Sequence, residues 1–171
     1  YGFQRWRTTD HEQIAAKVYT AYKDGWFDLA HVEANGIGLA VITVLKRLGV
    51  PTVGVDVSRA AIARPRCAKM RDELWWLGRE WFQSMSVGLE VGPMGDRKAL
   101  DDFVHEITVT KWRELDRIRI ETKDELRRPD RLGHSPDVAD AFLMTLAQGL
   151  RPSIALRERF DRPKQHGYVW G

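Results

Sequence analysis

The run from Leu29 to Val57, LAHVEANGIGLAVITVLKRLGVPTVGVDV, carries a strand, a helix and a second strand. Leu29-Ala30-His31-Val32 reads as a short buried strand closing on Glu33, and Asn35-Gly36-Ile37-Gly38 makes the turn. Leu39 to Leu48 is a largely apolar helix stopped by Gly49 and Pro51, after which Thr52 to Val57 returns as a strand. Connections this short between two strands and a crossover helix favour parallel pairing with a right-handed crossover.

Working outward, Phe3-Gln4-Arg5-Trp6-Arg7 alternates as a strand does, and Thr8-Thr9-Asp10 offers caps for a helix from His11 to about Lys23. Beyond Val57 an arginine-rich loop leads to a helix over Cys67 to Met85 weighted with Leu74, Trp75, Trp76, Trp81 and Phe82, a set that fits a packed core face better than a base-stacking platform. Gly88 to Val91 is a candidate edge strand, and Asp96 caps a helix from Arg97 to about Ile107. Thr108 to Trp112 and Arg117 to Glu121 have the spacing of a hairpin, and Ser135 as N-cap with Pro136 at the first helical position opens a last helix running to about Gln148. These elements make one α/β domain over residues 1–150, with 151–171 as a basic tail.

The 171 residues are 43% hydrophobic and 30% charged, enough to build a core and against disorder. No apolar run approaches the ~18 residues of a membrane span, so no membrane partner is expected. A lone Cys67 and the lack of a signal peptide point to an intracellular setting. The formal charge of +3 is carried by the tail, where residues 151–164 hold five basic and two acidic residues. A DNA-binding argument rests instead on residues 57–71, where Arg59, Arg64, Arg66, Lys69 and Arg71 stand without an acid. Such a run is either solvated or a contact for phosphates.

The chemistry concentrates in carboxylates at costly places. From Val138 to Ala147 the last helix is apolar apart from Asp140, and a buried carboxylate needs a cation, strong donors or a proton. Asp137 lies one turn earlier on the same face, and Glu33 closes a strand at the carboxyl edge where open α/β sheets bind ligands. Glu33, Asp137 and Asp140 are thus candidate ligands for hard divalent ions. The plainer alternatives are a dipole role for Asp137, a Lys123 partner for Asp140, and backbone N–H bonds from the turn for Glu33. Gly36-Ile37-Gly38 with Asp56 twenty residues after Gly36 imitates a dinucleotide fingerprint, but Val41 stands where its third glycine or alanine belongs. Five histidines without a paired spacing and one cysteine give no zinc site, and Cys67 is read as incidental.

In order, Glu33-Ala34-Asn35-Gly36-Ile37-Gly38, Met70-Arg71-Asp72-Glu73-Leu74-Trp75-Trp76, Ile120-Glu121-Thr122-Lys123-Asp124-Glu125-Leu126 and Ser135-Pro136-Asp137-Val138-Ala139-Asp140-Ala141 resemble the C-terminal nuclease domain of tailed-phage large terminase subunits over residues 1–149. The resemblance implies an RNase H-like fold, a mixed central sheet flanked by helices, and a two-metal endonuclease (Mg²⁺ or Mn²⁺) that cuts concatemeric double-stranded DNA during genome packaging. It implies Glu33 and Asp140 as metal ligands, Asp137 as an auxiliary ligand or base, and Lys123 as a group that orients the acids or meets phosphate. It further implies an upstream ATPase motor, portal and small-subunit partners, and the host cytoplasm as setting. The family's first catalytic aspartate, on the first strand, has no counterpart before Phe3, so the chain is expected to lack that strand and to be weak or inactive alone. Two rival expectations are a catalytically silent DNA-binding or motor-docking fragment and another RNase H-like nuclease such as a junction resolvase.

Overall fold

The structure, a computed structural model, describes residues 3–5, 7–84 and 96–147. Its elements in chain order are α1 (His11–Lys23), β1 (Ala30–Glu33), α2 (Ile37–Arg47), β2 (Thr52–Val55), α3 (Met70–Ser84), α4 (Arg97–Val109), β3 (Trp112–Glu114), β4 (Ile118–Ile120), α5 (Lys123–Leu126) and α6 (Asp137–Met144). β1 and β2 pair in parallel, with Ala30 opposite Thr52 and Glu33 opposite Val55, so the β-α-β unit forms as its sequence requires. β3 and β4 pair antiparallel as the expected hairpin. Among the described residues the strands form these two small two-stranded sheets.

The β1–β2 pair separates two apolar clusters, because successive strand residues face opposite sides. Ala30 and Val32 face α1 and α2, where Ala15, Val41, Val44, Leu45 and Val50 close one cluster. Val53 and Val55 face the other way, into a larger cluster with Met70, Leu74 and Trp75 of α3, Leu100 and Phe103 of α4, and Ala139, Phe142 and Leu143 of α6. Helices therefore cover both faces of a parallel pair, the arrangement that buried parallel strands need.

Asp10 and Asp96 cap α1 and α4 as expected, Asp10 accepting from the N–H groups of Glu12 and Gln13 and Asp96 from that of Lys98. Five expectations need correction or restriction. Phe3 to Arg7 forms no strand among its described residues; Phe3 is a core anchor whose ring centroid lies 4.9 Å from that of Phe103, and its burial, not ladder pairing, fixes the segment. Thr108 and Val109 end α4, and the first hairpin strand is Trp112–Glu114, so that Arg113 and Glu114 lie in β3 and not in the expected turn. Ser135 does not cap α6: Pro136 holds the cap position, and the buried Glu106 carboxylate of α4 accepts the Ala139 N–H at 2.7 Å instead. The Gly88 to Val91 strand and the 151–171 tail lie outside the described residues.

Candidate functional site

Glu33 ends β1 at the carboxyl edge of the parallel pair, and two glycines set the turn that follows it. Gly36 has a φ of +53°, a region open to glycine at little cost, and Gly38 packs so tightly that any Cβ there would overlap the Glu33 carbonyl oxygen. The Gly-x-Gly pattern is thus accounted for by a strained turn and by close docking of α2 on β1. Asp56, the acid of the imitated fingerprint, accepts hydrogen bonds from the Ser58 hydroxyl at 2.6 Å and from its N–H, which hold its carboxyl below the usual range.

Across this edge α6 brings Asp140, with a side chain only 11% exposed. Its Oδ1 accepts the indole N–H of Trp75 at 2.7 Å and the Nε–H of Arg71 at 3.2 Å. Its Oδ2 faces the Lys123 ammonium at 3.2 Å, and the same ammonium lies 3.9 Å from Glu33 Oε2. These two distances put the Glu33 and Asp140 oxygens within about 7 Å of each other, bridged by a cation. Lys123 is the first residue of α5, whose start is pinned by a capping box: Thr122 accepts from the Glu125 N–H, and Glu125 accepts from the Thr122 N–H. Arg71 is pinned from its far end, donating through Nη1 to the Glu121 carbonyl at 2.7 Å. The Glu121 carboxylate is in turn gripped by Arg131 and the Lys111 N–H, which push its pKa down.

Two acids and two cations therefore form one compact cluster, Glu33 and Asp140 against Lys123 and Arg71. Asp137 is not part of it. It is exposed, and it acts on Glu106, whose carboxyl is pushed up chiefly by burial and further by Asp137. Among the described residues no three His, Cys, Asp or Glu side chains gather as a metal would need. The donor set present has the right chemistry for one hard divalent ion shared by Glu33 and Asp140, since a cation already sits between two carboxylate groups.

The arginine-rich loop is organised by acids from elsewhere in the chain. Buried Glu73 accepts the N–H groups of Ile62, Ala63 and Arg64, and Asp72 accepts those of Lys69 and Ile120, tying loop and hairpin to the start of α3. Arg64 pairs with Glu80 at 2.9 Å and Arg66 with Glu114 at 2.8 Å, and each carboxylate raises the pKa of its arginine. Arg71, 12% exposed, belongs to the Asp140 cluster and not to the loop surface. Arg59 and Lys69 are exposed on that surface. The run without an acid in sequence is therefore largely balanced in space. Cys67 is fully buried, with its thiol pushed up to about 11 chiefly by burial, which fits its reading as incidental. Sequence reasoning missed Trp75 and Arg71 as partners of Asp140 and Glu106 as the acceptor at the start of α6; their signal was polar groups embedded in apolar helix faces.

No family model matches the sequence, and no curated protein is significantly similar to it. Two solved structures share its fold, both of a point mutant of the nuclease domain of the large terminase subunit gp2 of bacterial virus Sf6. One holds manganese and beta-thujaplicinol and the other manganese. Each superposes with a TM-score of 0.60 at 15% identity, covering 80% of this chain and 72% or 73% of that domain. The chain thus has the fold of a terminase nuclease domain, RNase H-like and mixed α/β.

Proposed function

We propose that this chain is a nuclease domain acting on double-stranded DNA within the large terminase subunit of a tailed phage or prophage, with Glu33 and Asp140 as its metal-facing acids. The observation that carries the reading is the convergence of these two carboxylates on one cation at the carboxyl edge of the parallel pair, in a fold shared with a nuclease domain solved with manganese. A bound Mg²⁺ or Mn²⁺ would supply Lewis acidity toward a phosphodiester and its attacking water. The chain's own residues do the rest: Glu33 and Asp140 present hard oxygens, Arg71 and Trp75 hold Asp140, and Lys123 offers an ammonium that can balance the acids or meet a phosphate. Arg59 and Lys69 are the exposed cations of the loop placed to meet a DNA backbone. Arg64 and Arg66 sit in exposed, solvent-screened pairs that add little to stability, so they can exchange a carboxylate for a phosphate. In this proposal the motor, the portal and the small subunit are partners in genome packaging, in the host cytoplasm.

Plasmid cleavage by the purified chain with Mn²⁺ tests the reading. Asp140→Asn and Glu33→Gln, shown folded by circular dichroism, should each lower cleavage by about 100-fold or more, because each removes a charged metal ligand. Cleavage undiminished by Asp140→Asn would overturn the site. The charge balance of the four-residue cluster favours a second reading, a catalytically silent DNA-binding or docking module. Retained DNA binding with no uptake of Mg²⁺ or Mn²⁺ in calorimetry selects it.

A further inference from the structure

We infer that Trp75 and Arg71 are positioning residues that lock one oxygen of Asp140, so that Oδ2 alone is left to work on a bound cation. The inference rests on the nuclease reading above and assigns separate roles to the two oxygens of its buried acid. Oδ1 receives both short donors, the Trp75 indole N–H at 2.7 Å and Arg71 Nε–H at 3.2 Å. Oδ2 receives Lys123 at 3.2 Å, with Arg71 Nε at 3.5 Å at the limit of a bond, and faces Glu33 across the same ammonium.

The two locking donors are themselves enclosed or tethered. Trp75 is 7% exposed and packed in the larger core cluster, where its N–H needs an acceptor. Arg71 stands one turn earlier on α3, its guanidinium carbon 5.4 Å from the Trp75 ring centroid and its Nη1 tied to the Glu121 carbonyl. The Lys123 side chain, by contrast, is 28% exposed, and its ion pairs are with the two carboxylates. One side of Asp140 is thus held by nearly buried donors and the other by a more exposed ammonium that a cation can replace. Such outer-shell donors fix a ligand's orientation, and losing one typically weakens metal binding 10- to 100-fold.

Trp75→Phe tests this, because it keeps a large ring and deletes only the donor. Calorimetry with Mg²⁺ alone should show about 10-fold weaker binding at an unchanged circular dichroism spectrum. In ¹⁵N indole spectra, the resonance lost in Trp75→Phe identifies Trp75 among the seven tryptophans. That resonance should shift in Asp140→Asn and again in the wild-type chain as Mg²⁺ is added, which a purely structural tryptophan would not do. A Trp75 resonance indifferent to Asp140→Asn, or Trp75→Phe binding Mg²⁺ as tightly as the wild type, overturns the positioning role while leaving the nuclease reading intact. A wild-type chain that takes up no Mg²⁺ overturns both.

Discussion

Replacing Asp140 with alanine removes the acceptor shared by Trp75, Arg71 and Lys123, and the sign of the stability change tests how the cluster is balanced. Catalytic acids crowded together repel, and deleting one then stabilises the fold. Here Asp140 and Arg71 are 11% and 12% exposed, and Arg71 would be left as a nearly buried cation with one remaining bond, to the Glu121 carbonyl. Breaking a buried pair by deleting one partner costs about 3–5 kcal/mol. Lys123 is free to turn toward Glu33 or water, which places the expected loss near the lower end, about 3 kcal/mol. Asp140→Asn keeps a carbonyl for the Trp75 N–H, so its loss should be smaller, about 1–2 kcal/mol, the scale of one charge-assisted bond. Urea unfolding followed by circular dichroism at pH 7 with EDTA reads both. With a slope of about 1–3 kcal/mol per M, alanine should lower the midpoint by about 1–3 M. An alanine variant as stable as the wild type, or more stable, would refute the claim that Arg71 and Lys123 neutralise the acids.

The Glu106 carboxyl is raised chiefly by burial, against the opposing bond from the Ala139 N–H and the attraction of His134 and with a further push from Asp137. The native state therefore holds the proton more tightly than the unfolded chain, and this group's contribution to stability falls as pH rises from about 4.3 through the raised folded value. Glu106→Gln keeps an acceptor for Ala139 and cannot ionise, so its stability relative to wild type should grow across that window in urea titrations at successive pH values; a difference that shrinks would refute the assignment. The two turn glycines should separate sharply. Gly38→Ala forces a Cβ into the Glu33 carbonyl and should cost more than about 3 kcal/mol, whereas Gly36→Ala meets open space and should cost about 1–3 kcal/mol for its positive φ. Equal urea midpoints for the two variants would refute the close docking of α2 on β1.

The elements legible in the sequence are those with local causes. The caps Asp10 and Asp96, the apolar period of α2 and the glycines around Glu33 placed the β-α-β unit and α4 within a residue or two. The hairpin was legible from its spacing. The Phe3 segment misled because alternation alone cannot distinguish a strand from an extended chain anchored by one buried ring. Ser135 misled because its preference for the cap yielded to a carboxylate reaching over from α4.

For the site, the sequence by itself showed that Asp140 sits in an apolar helix and Glu33 at a strand end, and hence that both needed partners. It also named Lys123 as one of them. Only the tertiary structure decided that Arg71 leaves the basic loop for Asp140, 69 residues away, and that Trp75 adds its N–H to the same oxygen. Only the fold, too, set Glu80 and Glu114 against Arg64 and Arg66. The reason is physical: helix periods, caps and tight turns are settled among neighbours along the chain. A buried charge takes whichever opposite charge or donor packing brings within about 3 Å, and sequence distance places no bound on that choice.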